Sequence, residues 1–253
     1  MKLKKGQVTV FIILALVIIF VIILLLINRG DLTSIFKFQS PIEKITECSQ
    51  TALEEAIALV STQGGALEPK NFFLYEDNKI DYICYTTENY KPCKMQKPIL
   101  KSSIESELKE YVEPRIKQCI ASVKEDFEKK GRTVTHKEPE ISIELMPDNV
   151  ILNTELNLQI TEEDSTESYK NIKTSINSNL YEFSAIASSI VNDEVKLGDI
   201  ETLSYMLANQ PWLKLEKKKQ SEGTKIYILT NRETEEHFWF ATRSFAMPPA
   251  VIS

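Results

Sequence analysis

From Val8 to Ile27 the chain runs for twenty residues without a charge, and Thr9 is the only polar side chain among them. A helix rises about 1.5 Å per residue, so this run measures about 30 Å, the thickness of a bilayer's hydrocarbon core. Secretory signal peptides carry a shorter apolar stretch, about 7–15 residues, closed by a small-residue cleavage site. Here the run ends Leu24-Leu25-Leu26-Ile27-Asn28-Arg29 with no such site. It therefore predicts a permanent spanning helix, embedded in membrane lipid through residues 8–27. Lys2, Lys4 and Lys5 precede it, whereas residues 28–39 hold only Arg29 and Lys37 against Asp31. The positive-inside bias then leaves the tip, 1–7, in the cytoplasm, and the rest lies outside the cell membrane.

No second apolar stretch approaches spanning length, so the expectation is a single-pass protein with a globular exterior. The first 27 residues contain three lysines and no acid, so the exterior carries a formal charge of −9 against −6 for the whole chain. Nucleic-acid binding needs clustered cations facing phosphate, and an acidic exterior argues against it. Lys217-Lys218-Lys219, the one basic run, reads as a solvated turn.

Cys48, Cys84, Cys93 and Cys119 all fall in this exterior. An even count on the oxidising side of a membrane predicts two disulfides, with three pairings possible. Zinc is the rival reading, but neither CxxC nor HxxxH spacing occurs, and His136 and His237 are the only histidines. A closed tetrahedral site has little to build on.

Ser40-Pro41-Ile42-Glu43 reads as a helix start, with a capping serine, proline in the first turn and glutamate three residues on. Ile45, Ser49, Ala52, Ala56 and Leu59 follow on one face, and Gln63-Gly64-Gly65 supplies the stop. Phe72–Tyr75 and Ile80–Tyr85 flank Glu76-Asp77-Asn78-Lys79 as a hairpin. A second capping signature, Ser102-Ser103-Ile104-Glu105, opens a long stripe through Ile104, Leu108, Val112, Ile116, Ile120 and Phe127, which Pro114 should kink. Cys119 lies within that stripe and Cys48 lies three residues after Ile45. Packing the two helices together would bring these sulfurs close, so the favoured pairing is Cys48–Cys119 with Cys84–Cys93.

Beyond Lys137 the pattern turns to strands at Glu140–Met146, Val150–Asn153 and Leu156–Ile160. Glu162 to Ser168 reads as a solvated hairpin tip. Ile172, Ile176, Leu180, Phe183, Ile186, Ala187, Ile190 and Val191 predict a third helix, and Asp199 caps a short fourth. Closing strands are expected at Trp212–Glu216, Thr224–Thr230 and His237–Phe245. The fold class is α+β, with long amphipathic helices packed on antiparallel sheet. Behind the tip (1–7), span (8–27) and juxtamembrane linker (28–39), two subdomains are expected: a four-cysteine helix-hairpin-helix unit at 40–136 and an α+β unit at 137–253.

The chemistry-bearing motifs are missing. No phosphate loop, GxSxG elbow, HExxH or calcium loop occurs, so no catalytic, cofactor-binding or metal residue is assigned and no cofactor is expected. Arg29-Gly30-Asp31 spells an adhesion tripeptide but abuts the membrane. His237 follows Glu235-Glu236, which could polarise it. Trp239, Phe240 and Phe245 could line a ligand groove, with core packing the commoner use of such residues.

Lys4-Lys5-Gly6-Gln7 ahead of the apolar helix resembles the class III signal of archaeal type IV pilin-like precursors over residues 4–27. The resemblance implies cleavage between Gly6 and Gln7, leaving the helix as an assembly tail. Phe11 stands where many pilins carry glutamate, and Asn28-Arg29-Gly30-Asp31 should end the helix. Cys48 through Gly65, together with Cys119, is similar to a group of archaeal membrane-anchored surface proteins, which implies export and anchoring but no activity. The expectation is a non-enzymatic surface or envelope component with a protein partner. The alternatives are a pilin-like filament subunit and an anchored solute-binding protein or enzyme.

Overall fold

The computed structural model describes residues 14–20, 40–162, 165–209 and 211–248. Residues 14–20 form a helix, α1, with exposed side chains. The rest of the expected span, the Gly6-Gln7 processing site and Arg29-Gly30-Asp31 lie outside the described residues. Among the described residues no helix is long and apolar enough to cross a membrane.

Residues from Pro41 onward form one compact unit. Helix α2 (Pro41–Thr62) buries Ile45, Ser49, Ala52, Leu53, Ala56, Ile57 and Val60. Helix α3 (Leu100–Glu128) buries Ile104, Leu108, Val112, Ile116, Ile120, Val123 and Phe127. The two run antiparallel. Lys44 meets Asp126 at 3.0 Å near one end, and Tyr111 donates to Glu55 at 3.0 Å further along. Cys48 and Cys119 are disulfide-bonded across this seam, with Cα atoms 6.6 Å apart. Gly64 and Gly65 adopt positive φ after α2 and let the chain turn against Asp81, whose carbonyl oxygen would lie 2.9 Å from a Cβ on Gly64.

The start of α3 departs from expectation. Its N-cap is Ile99, which offers no side-chain bond, so Ser102 and Ser103 sit inside the first turn. The start moves back because Leu100 already belongs to the buried stripe. Glu105 instead accepts the backbone N–H of Leu145 at 2.9 Å. Pro114 lies inside the helix, which continues past it to Glu128.

Strands β1 (Phe72–Tyr75) and β2 (Asn78–Tyr85) make the expected hairpin, but the turn is only Glu76-Asp77. Both turn residues have positive φ, as a two-residue connection matched to strand twist requires. Short β3 (Lys94–Met95) pairs with β2, and Cys84 and Cys93 are bonded there with Cα atoms 5.4 Å apart. The other members of this sheet are β8 (Leu213–Lys219), β9 (Thr224–Asn231) and β10 (His237–Arg243), in the order β1-β2-β10-β9-β8. Lys217-Lys218-Lys219 is thus strand rather than turn. Parallel pairing of β2 with β10 breaks the otherwise antiparallel pattern.

The second sheet contains β4 (Thr133–Thr135), β5 (Glu140–Met146), β6 (Asn149–Glu162) and β7 (Ser165–Asn177), with β6 at its centre. The expected hairpin is present, with Glu162 paired to Ser165, but β7 takes up Ser165–Ser168 from its expected tip and also the start of the expected third helix. Ile172 and Ile176 are four apart, a spacing that keeps residues on one face of either a helix or a strand. Pairing with β6 decides the matter, holding β7 as a strand from Ser165 to Asn177 with one register shift between Glu155 and Leu158 of β6. Helix α4 (Leu180–Leu197) starts only after it. The short α5 (Thr202–Ala208) is capped by Glu201, not Asp199.

The expected seam at Thr135–Pro139 does not separate two cores. One cluster runs from Ile45 and Leu53 through Ile116, Leu152 and Phe183 to Leu229 and Phe240. The β2–β10 pairing joins the two halves of the chain across the expected boundary. Proline and charge near residue 137 suggested a linker, whereas β4 pairs with the far end of β6.

Candidate functional site

Alternation along β8, β9 and β10 sorts their side chains onto two faces. Leu215, Tyr227, Leu229, Phe238 and Phe240 join the main core. Ile80, Tyr82, Ile226 and Ala241 form a second, smaller cluster edged by half-buried Phe73, Tyr75, Tyr85, Ile228 and Trp239. On this second face a cleft of about 270 Å³ opens between Tyr75 and Glu76 of the hairpin and the outward side chains of β8–β10. Strands β1 and β8 end the strand order at opposite sides and yet line the same cleft, so the sheet curls around it.

The aromatic wall is built from Trp239, with the Tyr75 ring edge-on at 6.2 Å and the His237 ring at 5.5 Å. Opposite stand Glu216 and Lys218, with Ile228 and Thr230 between. Glu216 is held at 2.7 Å by Lys214 and at 3.0 Å by Lys218. Hydrogen bonds from these two lysines pull its carboxyl below the ordinary glutamate value. A hydrogen bond to Glu76 pushes the Tyr75 phenol up. The indole Nε1 of Trp239 is covered from solvent and has no acceptor. The cleft thus places aromatic faces beside a carboxylate and an ammonium within one small space.

Behind the cleft, on the core side of β9, a buried charge network locks the sheet to α4. Glu194 is fully buried and accepts from Lys225 Nζ at 2.7 Å and from the Tyr227 hydroxyl. Lys225 also donates to the carbonyl of Gly198, where α4 ends in a left-handed residue. Burial pushes the Glu194 carboxyl up, with the bonds from Lys225 and Tyr227 acting the other way. Tyr227 is pushed far up by burial and by the Glu194 charge. Burial alone would raise Asp199, but bonds from Lys217 at 2.8 Å and Lys219 at 2.6 Å hold it well below the ordinary aspartate range. Every polar atom in this network is used to hold protein to protein.

The sequence candidates scatter. Trp239 and His237 meet in the cleft, Phe240 is core, and Phe245 packs over Gly198. Glu236 does not polarise His237. Its carboxylate accepts from Ser178 Oγ at 2.5 Å and from the Asn179 N–H at 2.7 Å, at the start of α4. His136 is exposed. Tyr75, Glu76, Glu216, Lys218, Ile228 and Thr230 were not singled out from sequence, although the even spacing of Glu216/Lys218, Ile228/Thr230 and His237/Trp239 marks a shared face. Among the described residues no group of three or more His, Cys, Asp or Glu side chains could hold a metal ion. Compared with known proteins, the chain matches no family model, no curated protein and no solved structure.

Proposed function

We propose that this chain is an archaeal-type, single-pass membrane protein whose α+β head, beginning near Pro41, stands on the extracytoplasmic side and serves without catalysis as a surface or envelope component that binds a partner. The observation that carries the reading is the pairing of all four head cysteines as Cys48–Cys119 and Cys84–Cys93, directly following an apolar run of spanning length. Disulfides persist in oxidising compartments, and export behind the Val8–Ile27 anchor offers a route there. Lipid surrounds residues 8–27, and the acidic charge of the head argues against nucleic acid as its partner. Alkaline carbonate washing tests the anchor. The chain stays in the membrane pellet, and its release with the peripheral proteins would refute a spanning segment.

Lys4-Lys5-Gly6-Gln7 favours a second reading, a pilin-like subunit cut after Gly6. Amino-terminal sequencing separates the two. A chain beginning at Gln7 supports processing, and one retaining the lysine tip supports a simple anchor. Both leave the hydrophobic run in place.

A further inference from the structure

We propose that the Tyr75–Trp239 cleft is a binding site for a neutral saccharide of about disaccharide size. The proposal rests on the extracytoplasmic reading, since that is where envelope and surface glycans are met. A sugar ring has an apolar face of C–H groups and a rim of hydroxyls, so a site for it needs an aromatic face and hydrogen-bonding groups in one cleft. Trp239 and Tyr75 supply the aromatic surface, and Glu76, Glu216, Lys218 and Thr230 supply acceptors and donors around it. At about 270 Å³ the cleft falls just below the usual range of ligand pockets, which begins at about 300 Å³, as suits a small ligand.

Charge sorts the competing ligands. A quaternary ammonium ion is best held by an aromatic cage with an uncommitted carboxylate. Glu216 is already bound by Lys214 and Lys218, which put two ammonium groups beside the cleft. With Glu76 and Glu216 offset by Lys214 and Lys218, the cleft has no net charge to attract a polyanion. A neutral hydroxyl-rich ligand needs neither, because carboxylates accept from hydroxyls and lysines donate to them.

The test is calorimetric titration of the full chain, in a detergent without a sugar headgroup, with maltotetraose, cellotetraose and chitotetraose, and with tetramethylammonium and polygalacturonate as charged controls. At least one neutral oligosaccharide binds and changes tryptophan emission. Trp239→Leu weakens that binding by about tenfold or more, Glu216→Gln weakens it by about threefold, and Trp212→Phe leaves it unchanged. Near-ultraviolet circular dichroism confirms that each variant is folded, and Glu216→Gln keeps the test open should Trp239→Leu fail to fold. Absence of binding by all three neutral sugars overturns the proposal. So does binding that ignores both cleft variants, or a preference for either charged control. These measurements on purified protein do not depend on topology, so their failure would leave the anchored-head reading standing.

Discussion

Deleting the two disulfides separately should have different consequences, because they close loops of very different length. Cys48 and Cys119 are 71 residues apart in sequence, and Cys84 and Cys93 are 9 apart. In the chain-entropy model the long loop is worth about 4.4 kcal/mol and the short one about 2.6 kcal/mol at 25 °C. Burial partly offsets that difference. Cys84 and Cys93 are 0% and 3% exposed, and replacing them also forfeits a transfer contribution of about 1–2 kcal/mol. Free energies extrapolated to water therefore leave the two double variants close together, and the denaturant slope distinguishes them. Opening the long loop lets the unfolded chain expand and expose more surface, which raises m, whereas opening the short one barely changes it. Equilibrium urea unfolding of the full chain in mixed micelles, monitored by circular dichroism, supplies both quantities. For Cys48→Ala/Cys119→Ala the expectation is a loss of about 4 kcal/mol, or about 9–18 °C in Tm, with a steeper slope. A loss below about 1 kcal/mol with an unchanged slope would refute the view that this bond stabilises the head by restricting its unfolded chain.

Lys225→Met leaves Glu194 buried without its cation and should cost about 3–5 kcal/mol in chemical denaturation, and adding Glu194→Gln should recover part of the loss. Asp199 has its folded value below the ordinary 3.8, so its native state binds fewer protons. Its contribution is present above 3.8 and disappears as pH falls through and below that value, so Asp199→Asn should lower stability near neutrality and above by a constant amount and flatten the acid limb of a stability–pH curve. Gly198→Ala strains a residue at φ +76° and brings a Cβ within 2.5 Å of the Phe245 ring. Gly131→Ala, at φ +81° with nothing within 4 Å, bears only the backbone strain, about 1 kcal/mol. Thermal unfolding should place Gly198→Ala below Gly131→Ala, and equal melting points would show that the Phe245 contact has no cost.

The parts of the fold legible in the sequence are those whose signals are local. Stripes at helical spacing located α2 and α3, and placing Cys119 on one stripe and Cys48 beside the other pointed to the pair the structure joins. The β1–β2 hairpin was recognisable, although its turn is shorter than the polar run Glu76–Lys79 suggested, because Asn78 and Lys79 are recruited into β2. Strand β7 was obscured by the ambiguity of a four-residue spacing at Ile172 and Ile176, which only pairing with β6 resolves. No local pattern marks the parallel alignment of Tyr82 with Ala241, and missing it split one core into two expected subdomains. The cleft is non-local for the same reason. His237 and Trp239 announce an outward face on β10, but nothing near them in sequence indicates that Tyr75 will stand against that face.

Protease shaving of intact cells tests the central claim most directly. Epitopes placed before Met1 and after Ser253 report the two ends of the chain. The account predicts that external protease removes the C-terminal epitope while the cells remain sealed, and that the N-terminal epitope survives until they are lysed. Protection of the C-terminal epitope in sealed cells, with digestion only after lysis, would contradict the account.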